Sequence, residues 1–309
     1  MESRIIGRYQ GAEPGPLLIC IGGIHGNEKA GVFAIEEIFR LLEKEPAVNP
    51  GFRYHGELVG IRGNLAALAS GNRFIHRDLN RMLSSGDLQN ILAKDRADLL
   101  PEEKECLELI QTVEAIIADV KPSFTLILDF HTTTADGGIF TICANDPKSR
   151  ELALGLHAPV ILGIAEGLKG TTIEYFNAPD RQQFCIVFEA GTHDDPGSVH
   201  RSVAAIVNCM RSIGAVDPGD VDHRHDGLLI SMAQGLPRVT ILRYHYRLDG
   251  SENFVMREGF SNFQQVRKGE VLATNETGNI QAPIDGLILM PKYQPLGEDG
   301  FFIVEQMEW

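Results

Sequence analysis

The apolar run Leu17-Leu18-Ile19-Cys20-Ile21, closed by Gly22-Gly23, constrains this chain most. Apolar residues on both faces read as a strand buried on both sides, and paired glycines as the turn where it leaves the sheet. Ala30, Phe33, Ala34, Ile38, Leu41 and Leu42 then recur at helical spacing. The alternation continues through strand-like stretches at 56–63, 125–130, 138–144 and 184–188. Pro101 with Glu102 and Glu103 starts a helix whose apolar face runs from Cys106 to Val120. Asp195 and Pro196 start another, closed by Gly214. Strands alternating with helices predict an α/β fold: a mixed, mainly parallel sheet with helices on both faces.

After Asp217-Pro218-Gly219-Asp220 the pattern changes to short strands and turns, with Asp249-Gly250, Asp285-Gly286 and Asp299-Gly300 as turn signals. No amphipathic helix is evident there. The reading is a catalytic domain over residues 1–220 and a smaller all-β domain over 221–309.

The 309 residues carry a net charge of −14, which opposes binding to nucleic acid or to an anionic membrane, since both need clustered Lys and Arg. No run approaches the roughly 20 apolar residues of a membrane span, and Met1-Glu2-Ser3-Arg4 opens without a signal-type apolar core, so the cytoplasm is the expected location. The five cysteines are scattered and read as buried free thiols.

Chemistry concentrates at strand ends. His25 and Glu28 follow the glycine-ended strand, and three residues apart they can point the same way where strand turns into helix. Gly22, Gly23 and Gly26 leave room for a ligand beside the backbone. His131 ends the strand that begins at Thr125, and Glu189 ends Ile186-Val187-Phe188. In open α/β sheets ligands bind outside the carboxyl ends of strands, so His25, Glu28, His131 and Glu189 converge on one edge. Two imidazoles and a carboxylate form the His₂Glu set of catalytic zinc, which leaves one position for a water of lowered pKa. Glu189 is then the candidate base for that water. The stretch Asn72-Arg73-Phe74-Ile75-His76-Arg77-Asp78-Leu79-Asn80-Arg81 is either a cationic pocket suited to a carboxylate or a solvated loop of surface ion pairs. His223 and His225 with Asp222 and Asp226 read as a solvated linker, and Asp195 beside His193 as a helix cap.

Taken in order, Gly23-Ile24-His25-Gly26-Asn27-Glu28, Arg73 with Asp78-Leu79-Asn80-Arg81, Asp129-Phe130-His131 and Glu189-Ala190-Gly191 resemble the succinylglutamate desuccinylase/aspartoacylase family, of the wider zinc carboxypeptidase-like fold, over about residues 15–215. The resemblance implies one Zn²⁺ per chain on His25, Glu28 and His131, with Glu189 as general base and Arg73 polarising the scissile carbonyl. Asn80 and Arg81 would hold the substrate's carboxylate. Tyr175 is similar to a substrate-contacting tyrosine, while Arg181 is shifted from the expected side-chain arginine, so aspartate is not implied. Tyr293 resembles a tyrosine that enters the site from the C-terminal domain, a packing role being the alternative. Gln281-Ala282-Pro283-Ile284-Asp285-Gly286 looks like a biotinyl/lipoyl-type half-barrel, but Asn275-Glu276-Thr277-Gly278-Asn279 offers no lysine for a carrier role.

The implied activity is hydrolysis of the amide bond of a small N-acyl amino acid or related carboxylate-bearing amide, by a soluble enzyme that can be a homo-oligomer. A carboxypeptidase acting on peptides or cell-wall fragments, and a silent binding protein of the same fold, are the alternatives.

Overall fold

The computed structural model describes residues 2–221, 223–250 and 253–308, so Met1, Asp222 and Trp309 of the stretches above lie outside the described residues. The elements run β1 (Ile5–Gln10), β2 (Glu13–Gly22), α1 (Ala30–Val48), β3 (His55–Arg62), α2 (Leu65–Ser70), α3 (Ser85–Leu92), α4 (Pro101–Val120), β4 (Thr125–Thr133), β5 (Phe140–Cys143) and α5 (Pro147–Leu154). They continue with β6 (Val160–Leu162), α6 (Ile164–Gly167), α7 (Thr172–Phe176), β7 (Gln183–Thr192), α8 (Gly197–Ser212) and α9 (Arg224–Ala233). The rest is β8 (Val239–Arg247), β9 (Val255–Met256), β10 (Gln264–Val266), β11 (Val271–Asn275), β12 (Gly278–Gln281), β13 (Gly286–Leu289) and β14 (Asp299–Gln306). No helix among the described residues is long and apolar enough to cross a membrane.

Eleven strands form one mixed sheet in the order β1-β3-β2-β4-β7-β5-β6-β8-β14-β13-β10. Its centre, β3-β2-β4-β7, is parallel. The run of β2 is apolar throughout because its alternate residues enter two cores. Leu18 and Cys20 pack under α1 and α8, with Ala34, Ile35, Ile38 and Ile206. Leu17, Ile19 and Ile21 pack under α4, with Cys106, Leu109 and Val113. Helices thus cover both faces. Phe33 and Leu41, read as part of the apolar face of α1, point outward. All five cysteines are free and buried.

Beyond residue 220 two features differ from the sequence reading. α9 is a helix that Gly227 and the polar His-Arg-His-Asp opening had hidden; His223 and Arg211 of α8 both contact its Asp226. The Asp299-Gly300 turn is instead a bulge: Asp299 pairs with Arg247 and Phe301 with Tyr246, so β14 carries one extra residue, Gly300, at that point. β14 also alternates between cores, with Phe302 and Val304 against the N-terminal core and Phe301 and Ile303 against the C-terminal one. The expected boundary near 220 lies between α8 and α9, and the sheet runs on past it through β6 and β8. A smaller antiparallel sheet, β12-β11-β9, completes the C-terminal region.

Candidate metal centre and its cavity

Parallel register brings the strand ends together. β2 and β4 are neighbours, and in the β4–β7 pair His131 stands beside Glu189. The glycines after β2 serve the chain rather than a ligand. Gly23 turns with φ 75°, and a side chain on Gly26 would strike the Ala67 carbonyl of α2 at 2.0 Å. The space predicted beside a ligand is filled by α2, and this close approach fixes where His25 sits.

His25, Glu28 and His131 are buried, and one ligand atom from each lies within 4.8 Å of the others. Glu28 Oε2 contacts His131 Nδ1 at 3.0 Å, and Glu28 Oε1 lies 2.9 Å from His25 Nδ1. That second contact is close but lacks hydrogen-bond alignment, leaving His25 Nδ1 without a hydrogen-bond partner. A ring nitrogen left without a hydrogen-bond partner beside a carboxylate is free to share a cation with it. Each ring is held from behind: His25 Nε2 by Asp78 Oδ1 at 3.0 Å, and His131 Nε2 by Asp129 Oδ2 at 3.1 Å. A carboxylate behind a ligating histidine fixes its orientation and raises its basicity. The donor set therefore fits a metal ion that binds nitrogen and carboxylate ligands.

Asp78 and Asp129, whose roles the motifs do not reveal, are the two carboxylates behind the rings. The signal for Asp129 was present: two residues before His131 on one strand, it faces the same side. Its Oδ2 also accepts the Thr172 hydroxyl at 2.7 Å. Asp78 accepts from Asn80 N at 2.9 Å at the head of the turn 79–81 and takes Arg73 at 3.1 Å.

The electrostatics follow from burial against charge. Burial would raise Glu28, yet His25 and His131 hold it well below the usual carboxylate range. Burial would lower His131, yet Asp129 and Glu28 hold it well above an ordinary histidine. Burial would also raise Asp78, but His25 and Arg73 keep it low. Glu189 behaves oppositely: burial pushes its carboxyl up to about 8, aided by Glu28 and opposed by His131 and Arg73. Its Oε2 is buried without a partner. A positive ion among its neighbours would lower it again.

Arg73 donates to Glu28 Oε1 and Asp78 Oδ2, each at 3.1 Å, and lines the cavity above the cluster. The cavity is about 120 Å³ and is walled by Glu189, Thr132, Ile142, Ile164 and Val187, with a roof of Met290, Lys292, Gln294 and Leu296 from the C-terminal region. The arginine stretch divides: Arg73 and Arg81 face the cavity, whereas Arg77 pairs with Asp87 at the surface. Asn80 Oδ1 accepts from Thr172 N at 2.9 Å, and Arg81 pairs with Asp299 at 2.5 Å.

Three residues expected at the substrate lie elsewhere. The Tyr175 hydroxyl donates to Glu114 at 2.8 Å, and with Arg181 it lines a separate surface cleft beside α4. The short helix α7, capped by Thr171, turns Tyr175 onto Phe176 and away from the metal cluster. The Tyr293 hydroxyl accepts from Phe260 N at 2.9 Å, while its neighbours Lys292 and Gln294 face the cavity. His193, read as incidental, receives or gives a 2.7 Å bond at Thr132 Oγ1.

A family model described as the succinylglutamate desuccinylase/aspartoacylase catalytic domain matches residues 14–208. A probable aspartoacylase from Nostoc sp. is 32% identical over 128 residues, 41% of this chain and 39% of that protein, so the match spans well under half of the curated relative. Two solved structures share the fold. The succinylglutamate desuccinylase/aspartoacylase from Rhodobacter sphaeroides has a TM-score of 0.62 at 17% identity, covering 96% of this chain and 87% of that one. The product-bound ectoine utilization protein EutE (DoeB) from Ruegeria pomeroyi has a TM-score of 0.64 at 17% identity, covering 97% and 87%. With His25, Glu28 and His131 gathered at the strand ends and the family model spanning most of the chain, the protein belongs to the succinylglutamate desuccinylase/aspartoacylase family.

Proposed function

We propose that the protein is a zinc-dependent amidohydrolase that removes the acyl group from a small N-acyl amino acid or a close relative of one. The observation that carries this reading is the convergence of His25 Nδ1, His131 Nδ1 and Glu28, with both imidazoles braced from behind by carboxylates. Zinc held there would supply Lewis acidity and a water of near-neutral pKa.

The chain's own groups divide the remaining work. Glu189, buried and unpartnered at Oε2, takes a proton from the attacking water and passes it to the leaving amine. Arg73 points its guanidinium over the cluster, where it donates to the carbonyl oxygen as charge develops there. Burial of Glu28, His131 and Glu189 strengthens both effects. A roofed cavity of about 120 Å³ favours a small amide over the peptide of a carboxypeptidase.

The test is a panel of N-acyl amino acids, their amides and short peptides, offered to zinc-loaded protein. Release of free amine from the small amides, abolished by chelation and restored by zinc, is the expected result. Cleavage of C-terminal residues from peptides in preference to small amides would transfer the protein to the carboxypeptidase reading.

A further inference from the structure

Arg81 is the residue that a carboxylate-bearing substrate would need, and its fork is already engaged. One terminal nitrogen donates to the Asn80 carbonyl at 2.7 Å and the other to Asp299 Oδ2 at 2.5 Å. Both Arg81 and Asp299 are largely buried, and both line the cavity. Asp299 is no swinging surface group. Its Oδ1 contacts His245 Nε2 at 2.8 Å, and His245 stacks on Phe302 with centroids 4.5 Å apart and planes at 15°. Its backbone is paired with Arg247, and the bulge at Gly300 turns Asp299 to the same cavity that Phe302 lines. Bulges commonly re-aim a side chain in this way.

From this geometry we propose that Asp299 determines the substrate class: it takes the place of a substrate carboxylate at Arg81, so the group bound there is an N–H donor such as a carboxamide or amine. The inference rests on the amidohydrolase reading and sharpens it. The Arg81–Asp299 pair has no net charge, so an incoming carboxylate meets a guanidinium whose charge is already neutralised and, beside it, a fixed like charge. A carboxamide instead finds carboxylate lone pairs left open by Arg81 and His245. Specificity of this kind comes from what the site repels as much as from what it attracts. Lys292, another cation on the cavity wall, donates to the Pro295 carbonyl at 3.2 Å and lies 6.0 Å over the Phe254 ring.

The experiment compares matched pairs, each an N-acetyl amino acid and its carboxamide, on zinc-loaded wild-type protein and on Asp299→Asn. Binding is read by calorimetry, and kcat/KM wherever turnover occurs. Wild type is expected to favour the carboxamide by about tenfold or more, the scale of a like-charge contact at an interface. Asp299→Asn is expected to erase or reverse that preference, which a purely structural role for Asp299 would not do. Tighter wild-type binding of the free acids, an unchanged ratio in Asp299→Asn, or binding of neither ligand would each overturn the proposal. Should Asp299→Asn fail to fold, the wild-type ratio alone decides. Failure of every compound to turn over would instead sink the amidohydrolase reading, while the calorimetric ratio still judges Asp299.

Discussion

The two ends of the cavity are built by different means. At the candidate metal centre the residues follow or lie on neighbouring strands: His25 just after β2, His131 on β4 and Glu189 on β7. Their positions follow from local pattern plus parallel register. On the C-terminal side of the cavity, residues distant in sequence meet, Arg81 pairing with Asp299 across 218 positions and Asp299 aimed by a bulge. On the proposed reading, chemistry falls to short motifs on the central sheet, and selectivity to the strand that joins the C-terminal region to that sheet. Changes at the candidate metal centre are expected to alter rate and metal binding, and changes on the C-terminal side to alter preference and stability.

The largest break is expected at Glu189. Glu189→Gln keeps size but cannot accept a proton, so kcat is expected to fall by roughly 10²–10⁴ with zinc content unchanged. Zinc loss matching that of His131→Ala would make Glu189 a ligand instead. Next comes Arg73→Ala, expected to lower kcat by about 10²–10³, as loss of an oxyanion donor does. A change confined to KM would move Arg73 from the reacting carbonyl to simple binding. Asp129→Asn keeps the shape behind His131 and removes the charge. Metal affinity is expected to weaken about 10–100-fold, and an unchanged affinity would reduce Asp129 to a packing residue.

The smallest effect belongs to the C-terminal side of the cavity. Burial would raise Asp299, but His245 and Arg81 hold its carboxyl at about 2, below its ordinary 3.8. A depressed carboxylate stabilises the fold above its unfolded value and loses that contribution as pH falls through the folded one. Roughly 2 kcal/mol is therefore expected to disappear between about pH 4 and pH 2. Denaturant unfolding of wild type against Asp299→Asn reads it; a stability difference that stays constant over that window would show that the pair contributes nothing through charge.

The same contrast explains what the sequence disclosed. The continuous run of β2 and the residues at the ends of β4 and β7 were readable because a strand's period and termini are local properties. The family resemblance carried Asn80 and Arg81, but not that Arg81 faces Asp299, since no local signal links residues so far apart. Asp-Gly at 299–300 reads equally as a turn or a bulge, and only pairing with β8 decides. The glycines after β2 announced close approach correctly, yet the approaching group was Ala67 of α2, which no spacing reveals. α9 stayed hidden because its glycine and polar start interrupt helical periodicity, and Tyr175 was misplaced because α7 turns it toward Glu114.

His25, Glu28 and His131 are proposed to form one metal site. Elemental analysis of protein purified without chelators tests it most directly, beside His131→Ala and with a titration of metal binding against pH. About one zinc per chain is expected in the wild type and little in His131→Ala. Wild-type affinity is expected to weaken as pH falls, because a proton on His131, whose pKa is raised, competes with the metal. Wild-type protein without stoichiometric divalent metal, or metal content indifferent to His131→Ala, would contradict it.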